Sequence, residues 1–208
     1  MDGLMIDSEP YHQKAFDQVL KKYGSSLSTE ENNRYVGLGD TAAAVDIISR
    51  KKLQVSVEDL LAQKELVYLE LLQSSITQNK GLLDLLDFLR RNTILSAIAS
   101  GSSITEIEAV IKHLHIEEYF DFYCSSTQVP QRKPAPDIFL YAAEHLGVSP
   151  SECIILEDAP SGLQAGIAAN IPVIIVPSQE TKDKDFSKAN HVAASLSDVP
   201  ELLVKYYL

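Results

Sequence analysis

The chain has no run of about 20 apolar residues, the length that a membrane-spanning helix requires. Its amino terminus also lacks the basic and apolar regions of a signal peptide. Basic residues are outnumbered, 18 Lys and Arg against 29 Asp and Glu, so the net charge is −11. A nucleic-acid-binding surface needs the opposite balance. We therefore expect a cytoplasmic protein whose partners include neither a membrane nor a nucleic acid.

Cysteine is also scarce. Only Cys124 and Cys153 are present, and both fall in apolar, strand-like stretches. This pattern favours two buried thiols over a disulfide. No internal repeat or low-complexity segment interrupts the 208 residues, of which 45% are hydrophobic. Such a chain can bury a full core in one main domain with an insertion, and we expect it to be a monomer.

The spacing of apolar residues predicts helices in the first part of the chain, then alternating strands and helices after Lys80. The predicted helices are residues 11–23, 41–50, 57–73, 82–91, 104–114, 137–146 and 161–170. The predicted strands are residues 94–99, 122–125, 153–156 and 173–176. Gly147 is suited to ending a helix in the left-handed conformation. The last two strands are apolar throughout, which is typical of a doubly wound α/β fold with a buried parallel sheet.

Polar residues follow the first predicted strand, at the edge where an α/β sheet usually carries its site. Ser100 ends that apolar run. Gly101 and Ser102 then leave backbone N–H groups free at the start of a helix, which favours a bound anion such as phosphate. An ordinary helix cap at Ser102 or Ser103 is the alternative, and the two roles are compatible.

Two further groups have the chemistry of a phosphate site. Glu157 and Asp158 follow the third predicted strand, and magnesium binds such hard oxygen ligands, usually one or two carboxylates with several waters. Lys133 lies in the run Lys-Pro-Ala-Pro-Asp, whose prolines fix the backbone so that the lysine can project into a site. The alternatives are a solvated acidic loop and a surface lysine.

Together with Met1-Asp2-Gly3, these motifs resemble the haloacid dehalogenase superfamily, in its phosphoglucomutase-like and sugar-phosphatase branch. The resemblance implies a Rossmann-like core, residues 1–7 and 81–208, with a helical cap inserted at residues 8–80. It also implies a magnesium-dependent enzyme that acts on a small phosphorylated metabolite. Gln131 and Arg132 precede Lys133 where many relatives have a glycine, a departure that changes only the detail of the loop.

The resemblance assigns roles residue by residue. Asp2 matches the aspartate that protonates the leaving group and then activates water, and its backbone carbonyl ligates magnesium. Phosphate binding falls to Ser100, Gly101, Ser102 and Lys133. Asp158 matches the direct magnesium ligand. Glu157 either supports that ligand without touching the ion or contacts the ion through a water molecule.

The family's nucleophile has no counterpart among the 208 residues. Its first motif reads Asp-x-Asp-Gly, and Met1 occupies x, so the nucleophilic aspartate would lie one residue before Met1. The central strand that delivers it would also precede Met1, and losing ~4 buried aliphatic side chains forfeits roughly 6–12 kcal/mol. We therefore expect the 208 residues alone to fold poorly, and we expect about 8–12 further residues in the natural protein.

The cap supplies weaker candidates. Residues 7–12 resemble the family's Asp-Ser/Thr-Glu-Pro-x-His run, so His12 is a candidate substrate or hinge residue. Gly37 starts a Gly-Leu-Gly run that resembles the cap loop reading the leaving group, with a plain glycine turn as the alternative. Lys64 occupies a position where relatives carry a basic residue, and a solvated helix face is its alternative.

The leading hypothesis is a magnesium-dependent phosphatase of sugar phosphates or similar metabolites, working through an aspartyl-phosphate. A hexose-phosphate mutase similar to β-phosphoglucomutase has the same core, and neither Gly37 nor Lys64 decides between water and a sugar hydroxyl as acceptor. A metal-free dehalogenase is disfavoured because Glu157 and Asp158 form a magnesium signature. If Met1 is the true start, a non-catalytic protein that binds a phosphorylated ligand or a partner is the alternative of another class.

Overall fold

A computed structural model describes residues 1–35 and 39–208, so Gly37 lies outside the described residues. The chain forms two compact units. We call Ser8–Ile76 the helical unit, and Met1–Asp7 together with Thr77–Leu208 the α/β unit. The predicted cap ends at residue 80, whereas the helical unit ends at Ile76. Within the described ranges, no helix combines the length and apolar character needed to cross a bilayer.

The helical unit contains α1 (Glu9–Lys21), α2 (Thr29–Asn32), α3 (Asp40–Lys51) and α4 (Val57–Ser75). Serine caps fix two of the starts: Ser28 Oγ accepts from the N–H of Glu31 at 3.2 Å, and Ser56 Oγ from the N–H of Asp59 at 3.0 Å. Apolar side chains form a common core: Phe16, Val19, Leu20, Ala44, Ile47 and Leu60. The three predicted helices are confirmed, and α2 was missed because one turn is too short to show a period.

The α/β unit contains five strands among its described residues: β1 (Ala97–Ser100), β2 (Phe122–Ser125), β3 (Ile155–Glu157), β4 (Val173–Ile175) and β5 (His191–Val192). Its α-helices are α5 (Leu82–Arg91), α6 (Ile104–His113), α7 (Asp137–Leu146), α8 (Pro160–Ala168) and α9 (Val199–Tyr206). Short 3-10 helices span Glu117–Tyr119, Ser126–Gln128, Pro150–Glu152 and Leu196–Asp198. The predicted bounds of α5, α7 and β2 are confirmed residue for residue. Gly147 ends α7 with a φ of 69°, the predicted left-handed conformation.

The described strands pair in parallel, as the predicted α/β class requires. β1 pairs with β2 from Ala97–Phe122 to Ser100–Ser125. β4 lies between β3 and β5 in a separate sheet of three strands. The α/β class is therefore confirmed, and in the described part of the chain β1 and β3 are each paired along one edge only.

An apolar cavity of about 400 Å³, which we call the slot, lies between β1 and β3. Six consecutive residues border it on each side, residues 94–99 and 152–157. Leucines of α5 and the side chains of Phe139, Ala142 and Ala143 in α7 also line it. Protein interiors normally hold few voids larger than a water molecule.

Both cysteines are free thiols. Cys124 is buried in β2, as predicted, whereas Cys153 is only half-buried, so the prediction of its burial is wrong. The reason is that β3 begins at Ile155, which leaves Cys153 in the connection before the strand.

The two thiols should differ in reactivity. Burial raises the pKa of Cys124 to about 11, against a small opposing effect of the Lys133 charge. At pH 8 its thiolate fraction is then about 100-fold below that of an ordinary thiol, so iodoacetamide should label Cys153 first and Cys124 about 100-fold more slowly than in urea. Peptide mass spectrometry of timed samples measures both rates. Equal labelling of Cys124 in folded and unfolded protein would contradict its burial.

Candidate active site

Asp2 and Gly3 form a tight turn beside Asp158. Asp2 and Ile6 form an isolated β-bridge. The Met5 N–H donates to the Met1 carbonyl at 2.7 Å, which closes the turn. Gly3 has a φ of +69°, and a Cβ at this position would lie 2.0 Å from Oδ2 of Asp158. Only glycine fits such a position without displacing the carboxylate.

Asn79 holds this turn, a role that the sequence analysis missed. Its side-chain Nδ2 donates to the carbonyls of Gly3 at 3.0 Å and Leu4 at 2.9 Å, and its backbone N–H donates to the carbonyl of Met5 at 2.7 Å. The only sequence signal was an asparagine beside Lys80-Gly81, which is equally typical of an ordinary turn.

The loop after β1 brings two hydroxyls to Asp2. Ser102 Oγ donates to Oδ2 of Asp2 at 2.5 Å, and Ser100 Oγ approaches the same oxygen at 3.5 Å. Ser100 is buried, and its Oγ also accepts from the N–H of Ser102 at 3.2 Å. Ser103 is the N-cap of α6 and forms a capping box with Glu106, so the cap lies one residue beyond the predicted phosphate loop.

Ser125 and Ser126, at the end of β2, support the loop after β1. Ser125 Oγ donates to the carbonyl of Ser102 at 2.7 Å, and Ser126 Oγ donates to that of Gly101 at 3.1 Å. Both serines are buried. The sequence analysis missed them, although polar residues directly after an apolar strand were the signal that found Ser100.

Lys133 joins the carboxyl ends of β1 and β3. Its Nζ donates to the carbonyl of Ala99 at 3.0 Å and forms a short ion pair with Glu157. The ammonium also lies 4.6 Å from the ring centre of Phe139, within the range of a cation–π contact. Lys133 is therefore not a surface lysine, and its charge faces the same edge of the sheet as Asp2.

Glu157 is held in its ionised form by Lys133. Burial acts to raise the pKa of Glu157, but the charge and hydrogen bond of Lys133, the Met1 amino group and the Ala159 N–H together lower it below the usual range. Gly162 allows this arrangement, because a Cβ there would lie 2.1 Å from Cδ of Glu157.

Asp158 has the opposite electrostatics. Burial and the charges of Glu157 and Asp2 together raise its pKa to about 6, against the opposing charge of the Met1 amino group. The site thus concentrates negative charge from three carboxylates against a single lysine. An added cation would relieve this repulsion.

In the helical unit, Lys64 and His12 lie together. Lys64 is only 1% exposed, so the alternative of a solvated helix face is wrong. Its Nζ donates to Asp40 Oδ2 at 2.6 Å and lies 2.7 Å from Nδ1 of His12. The ammonium also lies 4.4 Å from the ring centre of Tyr68, on which His12 stacks at 4.1 Å. Because an ammonium can only donate, Nδ1 of His12 is the acceptor in this contact.

Two substitutions separate the packing of Lys64 from its charge. Lys64→Ala should destabilise the fold by about 2–4 kcal/mol, because it leaves a cavity. Lys64→Met keeps the side-chain volume, and Asp40 remains partly exposed to water, so this variant should lose less than about 1 kcal/mol. Urea unfolding of both variants measures the difference. Equal losses would show that the charge, rather than the volume, stabilises α4.

A family model for haloacid dehalogenase-like hydrolases matches residues 1–176. The "Probable pseudouridine-5'-phosphatase" of Drosophila melanogaster is 32% identical over 206 residues, covering 95% of this chain and 88% of that protein. The fructose-1-phosphate phosphatase YqaB of Escherichia coli K12 is 32% identical over 178 residues, covering 85% of this chain and 93% of that protein.

The fold has a clear counterpart among solved structures. CbbY from Rhodobacter sphaeroides, crystallised in complex with phosphate, superposes with a TM-score of 0.87 over 96% of this chain and 93% of that chain, at 24% identity. This likeness concerns the fold alone. The family match and the identity to curated relatives carry the assignment: the chain belongs to the haloacid dehalogenase-like hydrolases.

Proposed function

We propose that this protein is a magnesium-dependent phosphatase of small phosphorylated metabolites, with sugar phosphates as the substrate class. The observation that carries the proposal is the convergence of Ser100, Ser102 and Lys133 with Asp2 and Asp158 at the carboxyl ends of β1 and β3. Hydroxyl donors and an ammonium suit phosphate, and a carboxylate beside them suits acid–base catalysis. The phosphatase names of the relatives support the same substrate class.

The nucleophile in this proposal is an aspartate directly before Met1. One of its carboxylate oxygens bonds to phosphorus while the bond from phosphorus to the leaving oxygen breaks, and Asp2 gives that oxygen its proton. Asp2 then takes a proton from water as the water oxygen bonds to phosphorus. The bond from phosphorus to the aspartate breaks, which releases phosphate and restores the carboxylate. Ser100, Ser102 and Lys133 hold the phosphoryl oxygens throughout.

Asp158 and the backbone carbonyl of Asp2 would hold the magnesium ion. Among the described residues, no three His, Cys, Asp or Glu side chains form a metal cluster. Magnesium needs only one or two carboxylates, with waters completing its shell, so this set suffices. Burial, together with the charges of Glu157 and Asp2, raises the pKa of Asp158, and a bound cation would favour its ionised form. When bound, the ion would neutralise charge on the phosphoryl group.

The test compares two proteins that differ in one residue. The first, which we call the aspartate-bearing chain, has an apolar strand ending in aspartate before Met1, and its control ends in asparagine. With a panel of sugar phosphates, we expect magnesium-dependent phosphate release from the first protein and at least a 1000-fold lower rate from the control. A phosphate-detecting dye measures both rates.

Three outcomes would contradict the proposal, either its mechanism or its activity. Equal release by the asparagine control would exclude the aspartyl-phosphate. Saturable ligand binding without turnover would establish a binding protein instead. Conversion of one hexose phosphate into its isomer, given a bisphosphate primer, would establish the mutase.

A further inference from the structure

Three consecutive carbonyl groups in the turn after Asp2 accept hydrogen bonds from one residue, Asn79. Its side-chain Nδ2 donates to the carbonyls of Gly3 at 3.0 Å and Leu4 at 2.9 Å. Its backbone N–H donates to the carbonyl of Met5 at 2.7 Å. The orientation of the amide follows from these partners, because its own oxygen would repel two carbonyl oxygens. Asn79 therefore fixes three successive peptide groups, beginning at Gly3.

A second cavity, of about 330 Å³, borders the same turn. Gly3, Leu4 and Asn79 line it, together with residues 176–180 after β4 and residues 194–196 after β5. A cavity provides no packed atoms that would resist a movement of the backbone toward it. The hydrogen bonds of Asn79, rather than packing, therefore hold the turn on the side of this cavity.

The turn also determines where both groups of the proposed magnesium site lie. The Asp2 carbonyl is bonded to the nitrogen of Gly3, and Gly3 lies so close to the Asp158 carboxylate that a Cβ at Gly3 would clash with it. Met5 and Ile6, at the end of the turn, are buried and have little freedom to move. A displacement of the turn would therefore fall on Gly3 and on the two groups beside it.

We infer that Asn79 is a positioning residue for magnesium, which holds the Asp2 carbonyl and the Asp158 carboxylate in place through the turn at Gly3. The inference rests on the proposed function, because it concerns the proposed metal ligands. Groups that orient metal ligands without touching the ion typically contribute roughly 10–100-fold to metal affinity or activity. The loss of the Asn79 side chain should therefore weaken magnesium binding.

The first test measures magnesium binding by calorimetry in the aspartate-bearing chain and in its Asn79→Ala and Asn79→Leu variants. Both substitutions remove the side-chain donor, and leucine also keeps the shape of the asparagine. We expect the magnesium Kd to rise roughly tenfold or more in both variants. In the metal-free protein, the Met5 amide, which donates to the Met1 carbonyl, should exchange its hydrogen faster in both variants. Normal magnesium binding by either variant would overturn the inference.

The magnesium dependence of the rate separates positioning from a loss of stability. In Asn79→Ala, the magnesium concentration for half-maximal phosphate release should rise roughly tenfold or more, while the rate at saturating magnesium changes less than about threefold. A variant that only unfolds in part loses rate at every magnesium concentration. Asn92→Ala is the matched control, because Nδ2 of Asn92 also donates to a backbone carbonyl, that of Phe88 at 2.9 Å, but at the end of α5. It should leave the magnesium dependence unchanged.

Asp158→Asn, which removes the proposed ligand itself, separates this inference from the proposed function. If this variant loses magnesium while both Asn79 variants bind it normally, the metal site stands and the positioning role is wrong. If the parent binds no magnesium, or Asp158→Asn binds it as tightly as the parent, the proposed metal site fails and the inference fails with it. A loss of rate at saturating magnesium, with an unchanged magnesium Kd, would make Asn79 a purely structural residue.

Discussion

Lys133→Ala in the aspartate-bearing chain is expected to lower phosphate release at least 100-fold and to destabilise the fold by about 3–5 kcal/mol. The activity falls because no other described cation contacts the carboxyl ends of β1 and β3. The stability falls because Glu157 stays buried without the charge and hydrogen bond of Lys133, the two largest effects that lower its pKa. Phosphate release and urea unfolding measure the two effects.

The double variant Lys133→Ala, Glu157→Gln tells the two effects apart. The glutamine replaces the buried carboxylate that Lys133 no longer neutralises. The double variant should therefore recover most of the lost stability while phosphate release stays low. Lys184→Ala, at an exposed lysine in the same unit, should change neither quantity. Recovery of activity in the double variant would mean that Lys133 only supports the fold.

Asp158→Asn is expected to have opposite effects on activity and stability. It should reduce magnesium-dependent release by the aspartate-bearing chain at least 100-fold, because it removes the proposed metal ligand. In the metal-free 208-residue chain, it should raise the free energy of unfolding at pH 7.5 by about 1–3 kcal/mol. The gain follows because the pKa of Asp158, about 6 in the folded chain, lies above its ordinary value of 3.8.

The sign of this effect sets its pH dependence. A carboxyl with a raised folded pKa costs stability as the pH rises from its unfolded to its folded pKa, because the unfolded chain ionises first. The gain from Asp158→Asn should therefore vanish near pH 4 and be complete above about pH 7. Asp185→Asn is the matched control, since hydrogen bonds from Ser187 lower the pKa of Asp185 and the substitution should give no gain. A pH-independent gain from Asp158→Asn would contradict the electrostatic explanation.

The helices and strands that could be predicted from the sequence are those whose pattern of residues lies within the element itself. α5 and α7 were predicted to the residue because their apolar positions repeat at helical spacing and their ends carry clear stops. The predicted strands at residues 94–99 and 153–156 were shifted, because a strand's limits depend on its pairing partners. β5, with two residues, and α9 gave no signal strong enough to be predicted.

The residues of the candidate sites likewise fall into those that a local pattern revealed and those whose surroundings depend on residues distant in sequence. Ser100 and Asp158 stood out because they follow apolar strands, and Lys133 because it begins the run Lys-Pro-Ala-Pro-Asp. The burial of Lys64 was missed, although it lies on a stripe of every fourth residue with Leu60, Tyr68 and Leu72. Its stabilising partners are distant in sequence, with Asp40 24 and His12 52 residues away, and spacing alone cannot reveal them.

The slot also bears on how the chain behaves at high concentration. Open strand edges are templates for strands of any other chain, and proteins normally cover or charge such edges to avoid aggregation. Here the edges of β1 and β3 lie among aliphatic side chains. Residues 94–99, which border the slot along β1, include no charged side chain. Residues 152–157, which border it along β3, carry charge only at their two ends, Glu152 and Glu157. The 208-residue chain should therefore become increasingly prone to aggregation through these two edges as its concentration rises.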